Sequence, residues 1–158
     1  MAVRHRFARW FALPLLSALA LPAFAQDSNI TRPIDELERL LAAEPLVITS
    51  AEISRPKAKG DITLKADVSF GGAPPLRVKL RKAEPGGEEF NNVPRYDLAA
   101  YQLQKLFIPP NEYVVPPTAL RMVDLADFQK YQADVKRTFA GADQVLAVLQ
   151  YWLSDILV

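Results

Sequence analysis

Arg77, Lys79 and Arg81 alternate with Val78 and Leu80. On an extended strand, side chains two apart project to the same side, so the three cations form one row and the two apolar residues face the other way. Like charges so placed repel each other unless anions or water receive them, and such a row is suited to holding a phosphate or carboxylate. A solvated sheet face is the plainer alternative. Asp97 follows three residues after Pro94, in the first turn of an expected helix, where the helix dipole already favours a negative charge.

Composition excludes much other chemistry. The 158 residues contain no Cys and a single His, His5. His5 lies in a segment that reads as a removable signal, which rules out Ser-His-Asp and Cys-His nucleophiles, thiol redox chemistry, disulfides and His/Cys zinc sites. Asp and Glu are present, but no carboxylate pair for hydrolysis can be placed from sequence, so no catalytic and no metal-ligating residue is assigned. Nineteen Lys and Arg against 18 Asp and Glu argue against non-specific nucleic-acid binding.

Arg4, Arg6 and Arg9 precede an apolar stretch from Trp10 to Leu21, and Ala23-Phe24-Ala25 forms an A-x-A site before Gln26. That is the pattern of a bacterial-type signal peptide over 1–25, giving an exported, periplasmic or secreted product. The stretch is shorter than the roughly 20 apolar residues of a membrane-spanning helix and is interrupted by Pro14 and Pro22, so no stable membrane anchor is expected. Without residues 1–25 the chain keeps 16 basic and 18 acidic side chains. A chain of this length can bury about two thirds of its unfolded surface without disulfides.

The elements that would position the cationic row follow from periodicity. Residues 26–45 read as a polar leader and a short amphipathic helix from Pro33 to about Ala43, with Ile34, Leu37, Leu40 and Leu41 on one face. Asn29-Ile30-Thr31 matches a glycosylation triplet. Leu46 to Ile53 reads as a strand and Arg55 to Asp61 as a charged turn. From Ile62 to Phe70 the alternation is strict, and Gly71-Gly72-Ala73-Pro74-Pro75 breaks it before a third strand, Leu76 to Ala83. Glu84 to Asn92 is a loop containing Glu88 and Glu89. A helix then opens at Asn92 or Pro94, with Tyr96, Ala99, Ala100, Leu103, Leu106 and Phe107 as its expected buried positions. Strands are expected at Thr118 to Val123 and Gln144 to Leu153, separated by a helix and loop over Leu125 to Phe139. The sequence ends on an apolar Ile156-Leu157-Val158.

The expected fold is therefore α+β: an antiparallel five-stranded sheet with one main packed helix, preceded by a short helix. The element order is that of a protein-kinase N-lobe, in which a strand lysine holds nucleotide phosphates and a helix acid fixes that lysine. Two blocks carry a closer likeness, Arg95-Tyr96-Asp97-Leu98-Ala99-Ala100-Tyr101-Gln102-Leu103-Gln104-Lys105-Leu106-Phe107 and Val115-Pro116-Pro117-Thr118-Ala119-Leu120-Arg121-Met122-Val123. They resemble the secretory-pathway (Golgi casein) kinase family over about residues 60–125, and more loosely bacterial toxin-type serine kinases and phosphatidylinositol-kinase-like proteins. The resemblance implies that Lys79 holds phosphate and that Asp97 is its helix acid. It also implies ATP and a divalent metal as cofactors of the full-length family, and a C-lobe that this chain lacks. Residues 46–158 would be the N-lobe.

Several features depart from that family. Asp97 stands where Glu is usual and is one methylene shorter, Leu80 stands where Pro is usual, and Glu88 or Glu89 could substitute as the acid. Gly71-Gly72 is not a G-x-G-x-x-G loop. Asp127-Phe128-Gln129 mimics the metal-binding Asp-Phe-Gly but lacks the glycine. Arg77, Arg81 and the backbone near Gln150, Tyr151 and Trp152, where a fifth strand would run into a hinge and meet adenine, complete the expected nucleotide-binding residues. The alternative function is a small periplasmic binding or adaptor module that uses the Arg77, Lys79, Arg81 face for an anionic ligand or partner.

Overall fold

The computed structural model describes residues 30–43, 45–54, 62–83 and 93–153. The signal segment, the glycosylation asparagine, the charged turn, the loop bearing Glu88 and Glu89, the Asn92 cap and the apolar end lie outside the described residues.

The chain runs α1 (Ile34–Ala43), β1 (Leu46–Ile53), β2 (Leu64–Phe70), β3 (Leu76–Lys82), α2 (Pro94–Gln104), β4 (Thr118–Asp124), α3 (Leu125–Gln129) and β5 (Gln144–Tyr151). The five strands form one antiparallel sheet in the order β1-β2-β3-β5-β4. This is the α+β architecture that the alternating pattern implies. β2 buries Leu64, Ala66, Val68 and Phe70 and leaves the intervening residues half-exposed, as a period of two on a one-sided sheet requires. Gly71 and Gly72 take φ of 57° and 81°, which side chains resist, and close the tight turn from β2 into β3 with an Ala73 amide to Phe70 carbonyl bond of 3.0 Å.

One sheet face carries the core. Val78 and Leu80 of β3, Val145, Ala147 and Leu149 of β5, and Ala119 and Val123 of β4 meet Leu37, Leu40 and Leu41 of α1 and Phe128 of α3. Leu37 and Leu41 are wholly buried. Each such side chain contributes about 1.5–3 kcal/mol by leaving water. The row Arg77, Lys79, Arg81 faces the other way, and α2 covers the part of that side over β4 and β5.

The face that α2 presents to the sheet differs from expectation. Tyr96 is 64% exposed, Leu103 57%, and Leu106 and Phe107 75% each, and Ala99 and Ala100 are exposed as well. The buried positions are Pro94, Tyr101 and Gln104, with Asp97 half-buried beside them. Residues 97, 101 and 104 are spaced four and three apart and form a polar stripe, and each has a partner waiting. Asp97 meets the cations of β3, Tyr101 donates to Glu38 of α1, and the Gln104 side chain accepts from the amides of Val114 and Val115 and donates to the Val115 carbonyl. Once every polar group of a stripe is hydrogen-bonded, its burial no longer carries the desolvation cost that otherwise keeps it outside.

Smaller differences lie at element ends. β2 begins at Leu64 rather than Ile62, although the Thr63 carbonyl still accepts the Ser54 amide at 2.9 Å. β5 stops at Tyr151, two residues before the expected end. α2 starts with Pro94 at its first turn and no side-chain cap at Val93, and it ends at Gln104 ahead of Leu106 and Phe107. Among the described residues no helix is long and apolar enough to cross a membrane.

Candidate functional site

β3 sends its cations out at alternate positions, and α2 returns one carboxylate to them. Lys79 Nζ lies 3.0 Å from Asp97 Oδ2, and Arg81 Nη2 donates to that same oxygen. Asp thus reaches the lysine directly despite being a methylene shorter than Glu. Exposure separates the two cations: the Arg81 side chain is 0% exposed, Lys79 28% and Asp97 21%. Arg81 sits under α2 and cannot touch a ligand in solvent, whereas Lys79 stands at the rim of the covered half. That revises the expectation for Arg81, which belongs to the support of the site.

Arg77, the third cation, turns away from α2. Its guanidinium grips Asp67 of β2 in a two-pronged bond of 2.9 and 3.2 Å, and Ser50 adds a third at 3.0 Å. The Arg77 hydrogen bond holds the Asp67 carboxyl below its ordinary value and raises the guanidinium in turn. Lys65, the β2 neighbour of Lys79, pairs with Glu52 at 2.8 Å, and this hydrogen bond lowers the Glu52 carboxyl. With Ala51, these side chains line an open polar cleft of about 240 Å³ on the β1–β2–β3 half of the same face.

The residues expected near adenine divide between the two faces. Gln150 pairs with Lys79 across the β3–β5 ladder, so both side chains share the α2 face, and Gln150 is buried with its amide donating to Thr118 at 3.0 Å. Trp152 lies on the open part of that face with the Lys65 ammonium 5.9 Å from its ring. Tyr151 points the opposite way, into the core, and its hydroxyl lies 3.1 Å from that of Thr31. The Tyr151 amide donates to Pro117 O at 2.8 Å and the Trp152 amide to Arg77 O at 3.1 Å, so both are committed to the sheet and leave no free donor for a base.

Other sequence features fall away from the site. Gly71-Gly72 closes the turn between β2 and β3, as the break in the alternation implies. In Asp127-Phe128-Gln129, Phe128 is wholly buried in the core and Asp127 pairs with Lys130, which makes the triplet a packing element. Among the described residues no group of three or more His, Cys, Asp or Glu side chains is placed to hold a metal ion.

Two contacts escaped sequence reasoning. Arg121 faces α1 and donates to the Leu41 carbonyl at 3.4 Å near the end of that helix, where a cation is favoured, and burial lowers its guanidinium. Glu38 of α1 accepts from both Tyr101 and Lys105, tying the helices of the two faces together around the β4 edge. Burial raises the Glu38 carboxyl, but the bonds from Lys105 and Tyr101 outweigh it and the net shift is downward, while burial and the Glu38 contact raise the Tyr101 hydroxyl. The spacing of Leu37 and Leu41 locates α1 on the sheet, but nothing in the sequence joins residue 38 to residue 101.

No protein-family model, curated protein or solved structure matches this chain. The chemistry of the site therefore rests on its own geometry.

Proposed function

We propose that this chain is the nucleotide-phosphate-holding lobe of an exported, kinase-like protein, with Lys79 as the phosphate ligand and Asp97 as the helix carboxylate that positions it. The Lys79–Asp97 ion pair of 3.0 Å carries this reading. A strand lysine fixed by a helix acid, half-exposed beside an open polar cleft, is placed to meet an anionic ligand arriving over the β1–β2–β3 face. The signal pattern of residues 1–25 supports export.

ATP fits the cationic half of this description, since Lys79 is accessible and Trp152 offers a ring on the same face. The divalent metal finds no ligand group among the described residues, and no step is assigned to it. The chain's only histidine is His5, so it holds no His-Arg-Asp catalytic loop, and the resemblance would put the catalytic base on a companion lobe. The adaptor alternative needs an open basic face. It is weakened because Arg81 is buried and Arg77 is engaged by Asp67.

The test is incubation of the purified chain with γ-labelled ATP and a generic protein substrate, alongside a titration with ATP. The expected outcome is weak saturable binding without transfer. Robust transfer by the chain alone would contradict the assignment of the base to a companion lobe, and absence of any binding would remove the phosphate-holding role.

A further inference from the structure

Asp97 offers one oxygen, Oδ2, to two cations of unlike mobility. Arg81 is enclosed between β3 and α2, opposite Val148 on β5, with no exposed side-chain surface. Lys79 is opposite Gln150, nearer the uncovered half, and reaches Asp97 from the end of a flexible four-carbon stem. A lysine that is the sole counter-ion of a buried carboxylate can leave it for a phosphate only by stranding that carboxylate in a poorly solvated place. Two cations on one carboxylate remove that obstacle.

We infer that Arg81 is a positioning residue: it stays on Asp97 as the fixed counter-ion, so that the Lys79 ammonium can exchange the carboxylate for a phosphate-bearing anion. The inference rests on the phosphate-holding reading and deepens it. When Lys79 turns to a ligand, Arg81 continues to hold the Asp97 carboxylate and the full charge of Lys79 is available to the phosphate. Arg81 also holds Asp97, and with it the start of α2, against the sheet while Lys79 is engaged elsewhere. The row of three cations thus divides its work, with Arg77 bracing β2 through Asp67, Arg81 bracing α2 through Asp97, and Lys79 meeting the ligand.

The experiment compares the parent chain with Arg81→Met, Asp97→Asn and the double variant Arg81→Met/Asp97→Asn, using two readouts. The first is the rate of acetylation at Lys79 by acetic anhydride, read by peptide mass spectrometry against exposed Lys136 and needing no ligand. Arg81→Met should slow modification of Lys79 at least threefold, because Asp97 then depends on the lysine alone, and the double variant should restore or exceed the parent rate. The second is titration with pyrophosphate, in which Arg81→Met should weaken binding about tenfold and the double variant should recover most of the loss. A purely structural arginine would give no recovery on removing the Asp97 charge. If Arg81→Met does not fold, the comparison of Asp97→Asn with the double variant decides: equal Lys79 rates support an arginine whose effect on Lys79 runs through Asp97, and unequal rates overturn it. Equal Lys79 rates in the parent and a folded Arg81→Met also overturn the inference. If the parent binds no pyrophosphate but the acetylation pattern holds, the phosphate-holding reading fails while the sharing of Asp97 stands.

Discussion

Removing Asp97 and removing Lys79 should have different consequences, because the carboxylate serves a buried guanidinium and the ammonium does not. Lys79→Ala deletes one half-exposed member of the pair and should cost at most about 1 kcal/mol of stability, as partly solvated ion pairs do. Asp97→Ala withdraws one carboxylate partner from the fully buried Arg81 and should cost more, up to about 3 kcal/mol. Urea unfolding of the two variants checks this, and equal losses would mean that Arg81 is compensated elsewhere. The row of cations and the acid that meets it were readable from the alternation over residues 77–81 and from the resemblance. The unequal burial of Arg81 and Lys79 was not, because strand periodicity places both on one face and cannot tell which part of that face a later helix will cover.

At the scale of the element, α2 shows where periodicity is informative and where it is silent. Spacing of three and four identifies residues that share a face, but it does not decide whether the apolar stripe of Tyr96, Ala100, Leu103 and Phe107 or the polar stripe of Asp97, Tyr101 and Gln104 turns inward. The polar stripe wins here because its partners come from distant segments, Lys79 and Arg81 on β3, Glu38 on α1, and the backbone at Val114 and Val115. Leu103→Gln and Phe107→Ser should therefore change stability by less than about 0.5 kcal/mol each. Gln104→Ala should cost about 1–3 kcal/mol, because it leaves two amides of the chain leading into β4 without their acceptor. Thermal unfolding separates the two cases, and a large loss at Leu103 or Phe107 would show that the apolar stripe is the packed one. The strands were legible almost residue for residue, since their alternation is local, and Pro94 marked the start of α2 for the same reason.

Across the whole molecule, Glu38 joins the helices of the two sheet faces, and carboxylates with lowered pKa set the response to acid. Glu38, Glu52 and Asp67 all titrate below their ordinary values of 4.5, 4.5 and 3.8 in the folded chain. Depressed carboxylates contribute stability that is present above the unfolded values and is lost as pH falls through the folded ones. Unfolding free energy should therefore be level above about pH 5 and fall progressively below about 4.5. Glu38→Gln should lower the melting temperature at neutral pH and shrink the acid-induced loss, and a variant with the parental acid profile would show that the latch carries no linkage.

The nucleotide-phosphate role of Lys79 is tested most directly by ATP titration of the isotope-labelled chain, followed by NMR, in the parent and in Lys79→Ala. Binding held mainly by Lys79 should have a Kd on the order of 1 mM, equivalent to about −4 kcal/mol. Saturable shifts should centre on residues 65, 79, 97 and 152 in the parent and vanish or weaken at least tenfold in Lys79→Ala. Identical titration curves for the two proteins, or shifts confined to other regions of the chain, would contradict it.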